Sequence, residues 1–228
     1  MLKCPTSHEI PIKAFYGDLF PEVFISLKPF TKLNANAPAR DAANKWSSDD
    51  FRNNMTPVSW KEISGLSGLT NINLINQALM TGNGGLEDDH QNPEAADQLF
   101  DALEEQRILP PDEDHFSSFD LEKVLMAIRA CGYTEVMLDD EWGSLGAKAP
   151  KLELTVENIK ALNHDDIQMV EWGVMTIYTF DQRLLFASPY EQYYSLVCGS
   201  KEMIEKMITA ANLEGFYADK NTMLKWGS

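Results

Sequence analysis

Three of the four histidines sit beside acids, in Glu87-Asp88-Asp89-His90, Asp112-Glu113-Asp114-His115 and His164-Asp165-Asp166. A carboxylate with a neutral imidazole is a sensible ligand pair for zinc, manganese or ferrous iron. His90, His115 and His164 are therefore the candidate metal ligands, and a metal-dependent hydrolase is the enzymatic reading they would serve. None of the three clusters matches HExxH or another spacing that sets two ligands on one helix face. In a chain this acidic a histidine acquires acidic neighbours by composition, so the metal reading needs the clusters to converge in space.

Other chemistry finds less support. There is no GxSxG elbow, and no Cys–His pair with local support for a nucleophile. Gly82-Asn83-Gly84-Gly85 is glycine-rich but follows a helical pattern and lacks the Lys-Ser/Thr ending of a phosphate cradle, so a helix stop and turn accounts for it. Asp139, Asp140 and Glu141 offer carboxylates for acid/base work, with Trp142 as an apolar wall. A solvated turn anchored by a buried Trp142 is the plainer account, because turns collect acids for local hydrogen bonding. No catalytic residue is identified on these grounds, so whether the chain is an enzyme stays open, and no cofactor is expected.

The charge distribution is the stronger signal. The 228 residues hold 35 acids against 19 lysines and arginines, a formal net charge of −16. Between residues 87 and 120 lie twelve acids (Glu87, Asp88, Asp89, Glu94, Asp97, Asp101, Glu104, Glu105, Asp112, Glu113, Asp114, Asp120) against Arg107 alone, so −11 of the −16 falls there. Such a field repels phosphate backbones and anionic membranes and attracts cations or basic proteins. The acids are organised by a helix: Asn92 at its cap, Pro93 in first place, and Ala96, Leu99, Phe100 and Leu103 as an apolar stripe. The opposite face carries Glu94, Asp97, Asp101, Glu104 and Glu105, the candidate docking surface for a basic protein partner. A solvated face that serves only solubility is the bland alternative.

The remaining elements must position these residues. Val23 to Leu27 reads as a short strand ended by Pro29, and 34–56 as a surface excursion or a helix around Asp41 to Phe51. Residues 57–81 outline two short helices, with Pro57 in a first turn ahead of Trp60. The resulting silhouette of a helix-turn-helix lacks basic side chains in TNINLINQALM, so nucleic acid is not an expected ligand. Ser117-Ser118 precede a helix with Leu121, Val124, Leu125, Ile128 and Cys131 on one face. A strand at YTEVML and a short helix from Thr155 follow. Val174 to Phe180, a turn at Asp181-Gln182, Leu184 to Ala187 and Tyr193 to Cys198 read as a meander, and Ser200 caps a helix packed against it.

These patterns predict an α+β fold, an antiparallel sheet built mainly from the C-terminal half with helices packed on it. One domain over 1–228 is expected, with a helical subdomain at 57–132 and a sheet-containing part at 133–228. No window approaches the ~20 apolar residues of a membrane span, the N-terminus lacks a secretory apolar core, and three cysteines without CxxC spacing fit reduced thiols. A cytoplasmic protein with no membrane partner is expected; oligomeric state is not legible.

The succession CGYTEVMLDDEWG, a strand-turn-strand ending in FAS, YSLVCGSKEMIEKMI and LEGFYADKNTMLKW resembles an uncharacterised bacterial family, domain of unknown function 2711. The resemblance covers roughly the last hundred residues, with PVSWKEISGLSGL as a weaker echo upstream. It implies a bacterial cytosolic protein and supplies no activity, so no catalytic residue is carried over.

Overall fold

The structure, a computed structural model, describes residues 4–5, 10–35, 37, 52–113, 115–117, 119–162 and 174–225. Most of the 34–56 excursion, together with His164, lies outside them. The chain forms two compact units: unit 1 comprises Met1–Lys28 and Asp112–Leu224, unit 2 comprises Pro29–Pro111 and Lys225–Ser228.

Unit 1 holds an antiparallel sheet with, among the described residues, seven strands: β1 (Glu22–Leu27), β5 (Glu135–Asp139), β6 (Lys151–Glu153), β7 (Thr176–Tyr178), β8 (Leu185–Ala187), β9 (Tyr194–Gly199) and β10 (Gly215–Tyr217). Their order is β10-β1-β9-β8-β7-β5-β6. Six of the seven come from the C-terminal half, so the α+β expectation holds. The strand read at Val23 to Leu27 is not peripheral. It is β1, placed inside the sheet between β10 and β9.

Register explains the two faces. Phe24, Val197, Phe186, Ile177 and Leu138 are successive pairing partners across five strands, and all five belong to the hydrophobic core. Strand residues alternate faces, so this row forms one continuous apolar stripe. Onto it pack α5 (Leu121–Ala130) through Val124, Leu125 and Ile128, and α7 (Lys201–Ala211) through Ile204 and Met207. Phe116 stacks on Phe186 with ring centroids 4.6 Å apart. Ser200 caps α7 by accepting from the Met203 amide. Helix α5 falls within the helical part expected at 57–132, but its apolar stripe packs on the sheet of unit 1. On the opposite face Ile25, Leu196 and Cys198 are also fully buried, and near Cys198 lie α1 (Ile12–Tyr16) and Cys4.

Unit 2 contains a small sheet of β2 (Phe30–Leu33), β3 (Met55–Val58) and β4 (Ile108–Leu109), in the order β3-β2-β4. Among the described residues its helices include α2 (Trp60–Ser67), α3 (Ile72–Gly82) and α4 (Pro93–Gln106). Pro57 falls in edge strand β3 rather than in a helical first turn, because an edge position tolerates the missing N–H. Helix α2 starts three residues later with a capping box: the Ser59 side chain accepts from the Glu62 amide and the Glu62 carboxylate from the Ser59 amide.

Lys28 ends the first segment of unit 1. Its side chain is 1% exposed, and Nζ donates to the carbonyls of Gln192 at 2.8 Å, Asp112 at 3.0 Å and Glu113 at 3.3 Å. Replacing Lys28 with Met keeps the length and removes the donors; a loss of about 2–4 kcal/mol is expected from the stranded carbonyls, read by urea unfolding.

Asp120, at the head of α5, has its carboxyl pushed up to about 6 by burial, although Lys123 and Lys28 pull it down. A folded value above the unfolded one means that the native state holds the proton more tightly. Stability from this group is therefore full below about pH 4 and lost as pH rises through about 6. Asp120→Asn is expected to unfold about 1–3 kcal/mol harder than the parent at pH 7.5 and to differ little at pH 4. Urea titrations at the two pH values check both halves.

Candidate functional site

The acidic helix is built as its sequence indicates. The Asn92 side chain accepts from the Ala95 amide at 3.1 Å, Pro93 follows, and Arg107 closes the helix in the left-handed region at φ 55°. Ala95, Ala96, Leu99 and Leu103 are buried. At about 100° per residue, Glu94, Asp97, Asp101, Glu104 and Glu105 share an arc of about 100°, and all five are exposed. Phe100 sits at the border of that arc. Read by sequence as part of the stripe, it keeps 36% of its surface exposed, because one side of its ring lies over Gly82, where a Cβ would come within 2.2 Å of it. Gln98, on the other flank, donates to the Ser67 carbonyl at 2.6 Å and ties α4 to the end of α2.

This face works against its own helix. Asp97–Asp101 and Asp101–Glu105 are like charges four residues apart, Glu94–Asp97 and Asp101–Glu104 three apart, and each such pair costs about 0.2–0.5 kcal/mol. Glu104 and Glu105 also stand in the last turn, at the negative end of the helix dipole, and no basic residue lies there. Among the described residues none of the five carboxylates is in an ion pair.

The histidines are spread over the chain. His90 ends a short 3₁₀ turn in unit 2 and lies 3.9 Å from Asp89. His115 belongs to unit 1, with Nδ1 3.7 Å from Asp112. His164 lies outside the described residues. Among the described residues no three His, Cys, Asp or Glu side chains are grouped to hold a metal ion.

The Asp139-Asp140-Glu141-Trp142 turn is arranged the other way round from expectation. Asp139 is 0% and Asp140 3% exposed, whereas Trp142 is 56% exposed. Asp139 accepts from the amides of Asp140, Leu145 and Gly146 at 2.9, 3.1 and 3.1 Å, and it also bonds the Tyr178 hydroxyl. Burial, then the neighbouring Asp139 charge, raises the Tyr178 pKa. Asp140 accepts from the amides of Trp142 and Ser144, both at 2.9 Å, and from the Ser144 hydroxyl. The two carboxylates thus wind the loop around themselves, and the indole is carried outward. Their oxygens are occupied by backbone donors, which leaves little capacity for acid/base or metal work. The glycine turn behaves as read: Gly84 has φ 74°, and the Gly85 amide donates to the Met80 carbonyl at 2.9 Å.

Asp139→Asn presents an amide donor to a set of N–H donors, and a loss of about 1–3 kcal/mol is expected. Chemical denaturation measures it, and the near-ultraviolet signal of Trp142 should loosen with the loop.

Comparison with known proteins agrees with the succession of segments. A 176-residue stretch is 20% identical to the "Uncharacterized protein YwbB" of Bacillus subtilis (strain 168), covering 74% of this chain and 71% of that protein. No solved structure matches. Among the described residues no helix is long and apolar enough to cross a membrane. Residues 8–228 match the family described as "Protein of unknown function (DUF2711)", nearly the whole length, and the chain belongs to that family.

Proposed function

We propose that this chain is a protein-binding protein whose α4 face receives a basic, amphipathic surface of another protein, as an immunity-type or regulatory partner of a cationic toxin or enzyme would. The observation that carries the reading is the set of five exposed carboxylates, Glu94, Asp97, Asp101, Glu104 and Glu105, in an arrangement that costs the free helix stability. A basic partner would relieve the four like-charge pairs and the two acids at the negative helix end together. Phe100 at the border supplies an apolar contact beside the charges, the combination of aromatic anchor and charged rim found at the centres of protein interfaces. Charge steering of this kind speeds encounter and weakens with salt.

The test neutralises the five acids to Gln or Asn. At about 50 mM salt, where the Debye length exceeds 10 Å, the parent should retain a basic protein from a native lysate and release it at about 300 mM. The neutralised chain should retain none of it while unfolding at the same or a higher temperature. Retention of the same proteins by both forms, or of no basic protein by the parent, would overturn the reading. Phe100→Ala should weaken capture without altering its salt dependence.

A further inference from the structure

We propose that Asn83 is a site of spontaneous covalent modification, converted through a cyclic imide to aspartate and isoaspartate, independently of the reading given to the α4 face. Asn83 is the one asparagine of the chain that precedes a glycine. The nucleophile of the reaction is the main-chain nitrogen of the following residue, and Gly84 has no Cβ to screen it. Asn83 and Gly84 are both exposed, in the turn that closes α3.

The turn holds the reacting groups in one ring. Oδ1 of Asn83 accepts from the Gly85 amide at 2.8 Å, so the side chain is drawn back along its own main chain. The ring closed by that bond contains both the electrophile, Cγ of Asn83, and the nucleophile, N of Gly84. The Gly85 N–H also stands where negative charge develops on Oδ1 during the attack. To complete the approach the main chain must rotate about the Asn83 Cα–C bond, and the flanking glycines, with Gly84 at φ 74°, leave it that freedom. The restraints are the bonds from the Gly84 amide to the Thr81 carbonyl at 3.1 Å and from the Gly85 amide to the Met80 carbonyl at 2.9 Å. These are the last bonds of α3, where helix ends fray at little cost.

Other asparagines lack this combination. Asn92 precedes Pro93, which has no N–H to give up. Asn73 and Asn76 in α3, and Asn158 in α6 (Val156–Ala161), lie within helices and precede Leu74, Gln77 and Ile159, whose side chains crowd the nitrogen.

In the first step the Gly84 nitrogen loses its proton and bonds to Cγ, the Cγ–Nδ2 bond breaks, and Nδ2 leaves as ammonia. Water then opens the imide. Cleavage of the bond from the nitrogen to Cγ leaves aspartate in an unaltered main chain. Cleavage of the bond to the Asn83 carbonyl carbon leaves isoaspartate, with the main chain running through Cβ and Cγ. Either product adds a negative charge at the negative end of the α3 dipole. Isoaspartate also lengthens the turn by a methylene and so disturbs both hydrogen bonds. The effect lies close to α4, because the preceding Gly82 is in contact with the Phe100 ring.

The test incubates the purified full chain at about pH 8, beside a peptide with the sequence of residues 79–87, and maps both by mass spectrometry with electron-transfer fragmentation, which separates aspartate from isoaspartate. Asn83 should convert before any other asparagine, with isoaspartate among its products, and less than about a hundredfold slower than in the peptide. Hydroxylamine, which attacks the imide, should cut the native chain between residues 83 and 84. Asn83→Gln, which would have to close a larger ring, should abolish the cut while keeping the parent's circular dichroism. Protection beyond a hundredfold, earlier conversion of another asparagine, aspartate without isoaspartate, or a cut that persists in Asn83→Gln would each overturn the proposal.

Discussion

The interaction on which unit 1 depends is the buried ammonium of Lys28. Removing a lysine charge from water costs several kcal/mol unless its donors are met, and an ammonium has three of them. Here the three carbonyls come from Asp112, Glu113 and Gln192, which lie 84, 85 and 164 residues away in sequence. The bonds fix the end of β1, the residues at which the chain returns to unit 1, and the approach to β9. Everything between Pro29 and Pro111 departs and returns through points held by one side chain. Closing so long an excursion carries an entropy cost that grows slowly with length, so a single well-satisfied anchor can hold it. Main-chain acceptors suit the task, since they remain available whatever side chains Asp112 and Glu113 carry.

With that end fixed, β1 can serve as an inner strand. It pairs over six residues with β9 and over three with β10, and its Phe24 begins the apolar row that runs to Leu138. Gly215 allows the outer partner to approach: a Cβ there would stand 1.9 Å from the Ile25 carbonyl oxygen. The helices α5 and α7 cover one face of this row with Leu, Ile, Val and Met. The loops beyond the strand ends carry polar groups, among them the Asp139-Asp140 turn.

Features governed by neighbours in sequence were legible. The capped helix α4, the helix from Ser200, the β7–β8 turn and the glycine stop after α3 all follow from residues within one or two turns, where caps, periodicity and turn chemistry act. Features governed by distant partners were not. Val23 to Leu27 is recognisable as a strand, but its place inside the sheet depends on β9 and β10, nearly two hundred residues on. Lys28 looks like any surface lysine until the three carbonyls surround it. Trp142 and its two aspartates stand inverted because side-chain polarity favours exposed acids, whereas a loop with six amide and hydroxyl donors to satisfy from within draws the carboxylates in. The α4 acids were identified correctly as a face; the half-exposed Phe100 beside them was missed, since the i, i+3, i+4 rule does not see the ring's position over Gly82.

One residue type therefore performs two opposed tasks in this chain. In the 139–146 loop the carboxylates are buried and their oxygens are taken up by N–H and O–H donors, so they stabilise a turn. On α4 the carboxylates are exposed, repel one another and oppose the helix dipole, so their charge is directed outward. Solubility alone would be served by acids anywhere on the surface, including the first turns of helices, where the dipole favours them. Concentrating them instead along one face and into the last turn leaves the helix with electrostatic repulsion that an incoming cation can relieve. That repulsion is the property on which the proposed docking of a basic partner rests.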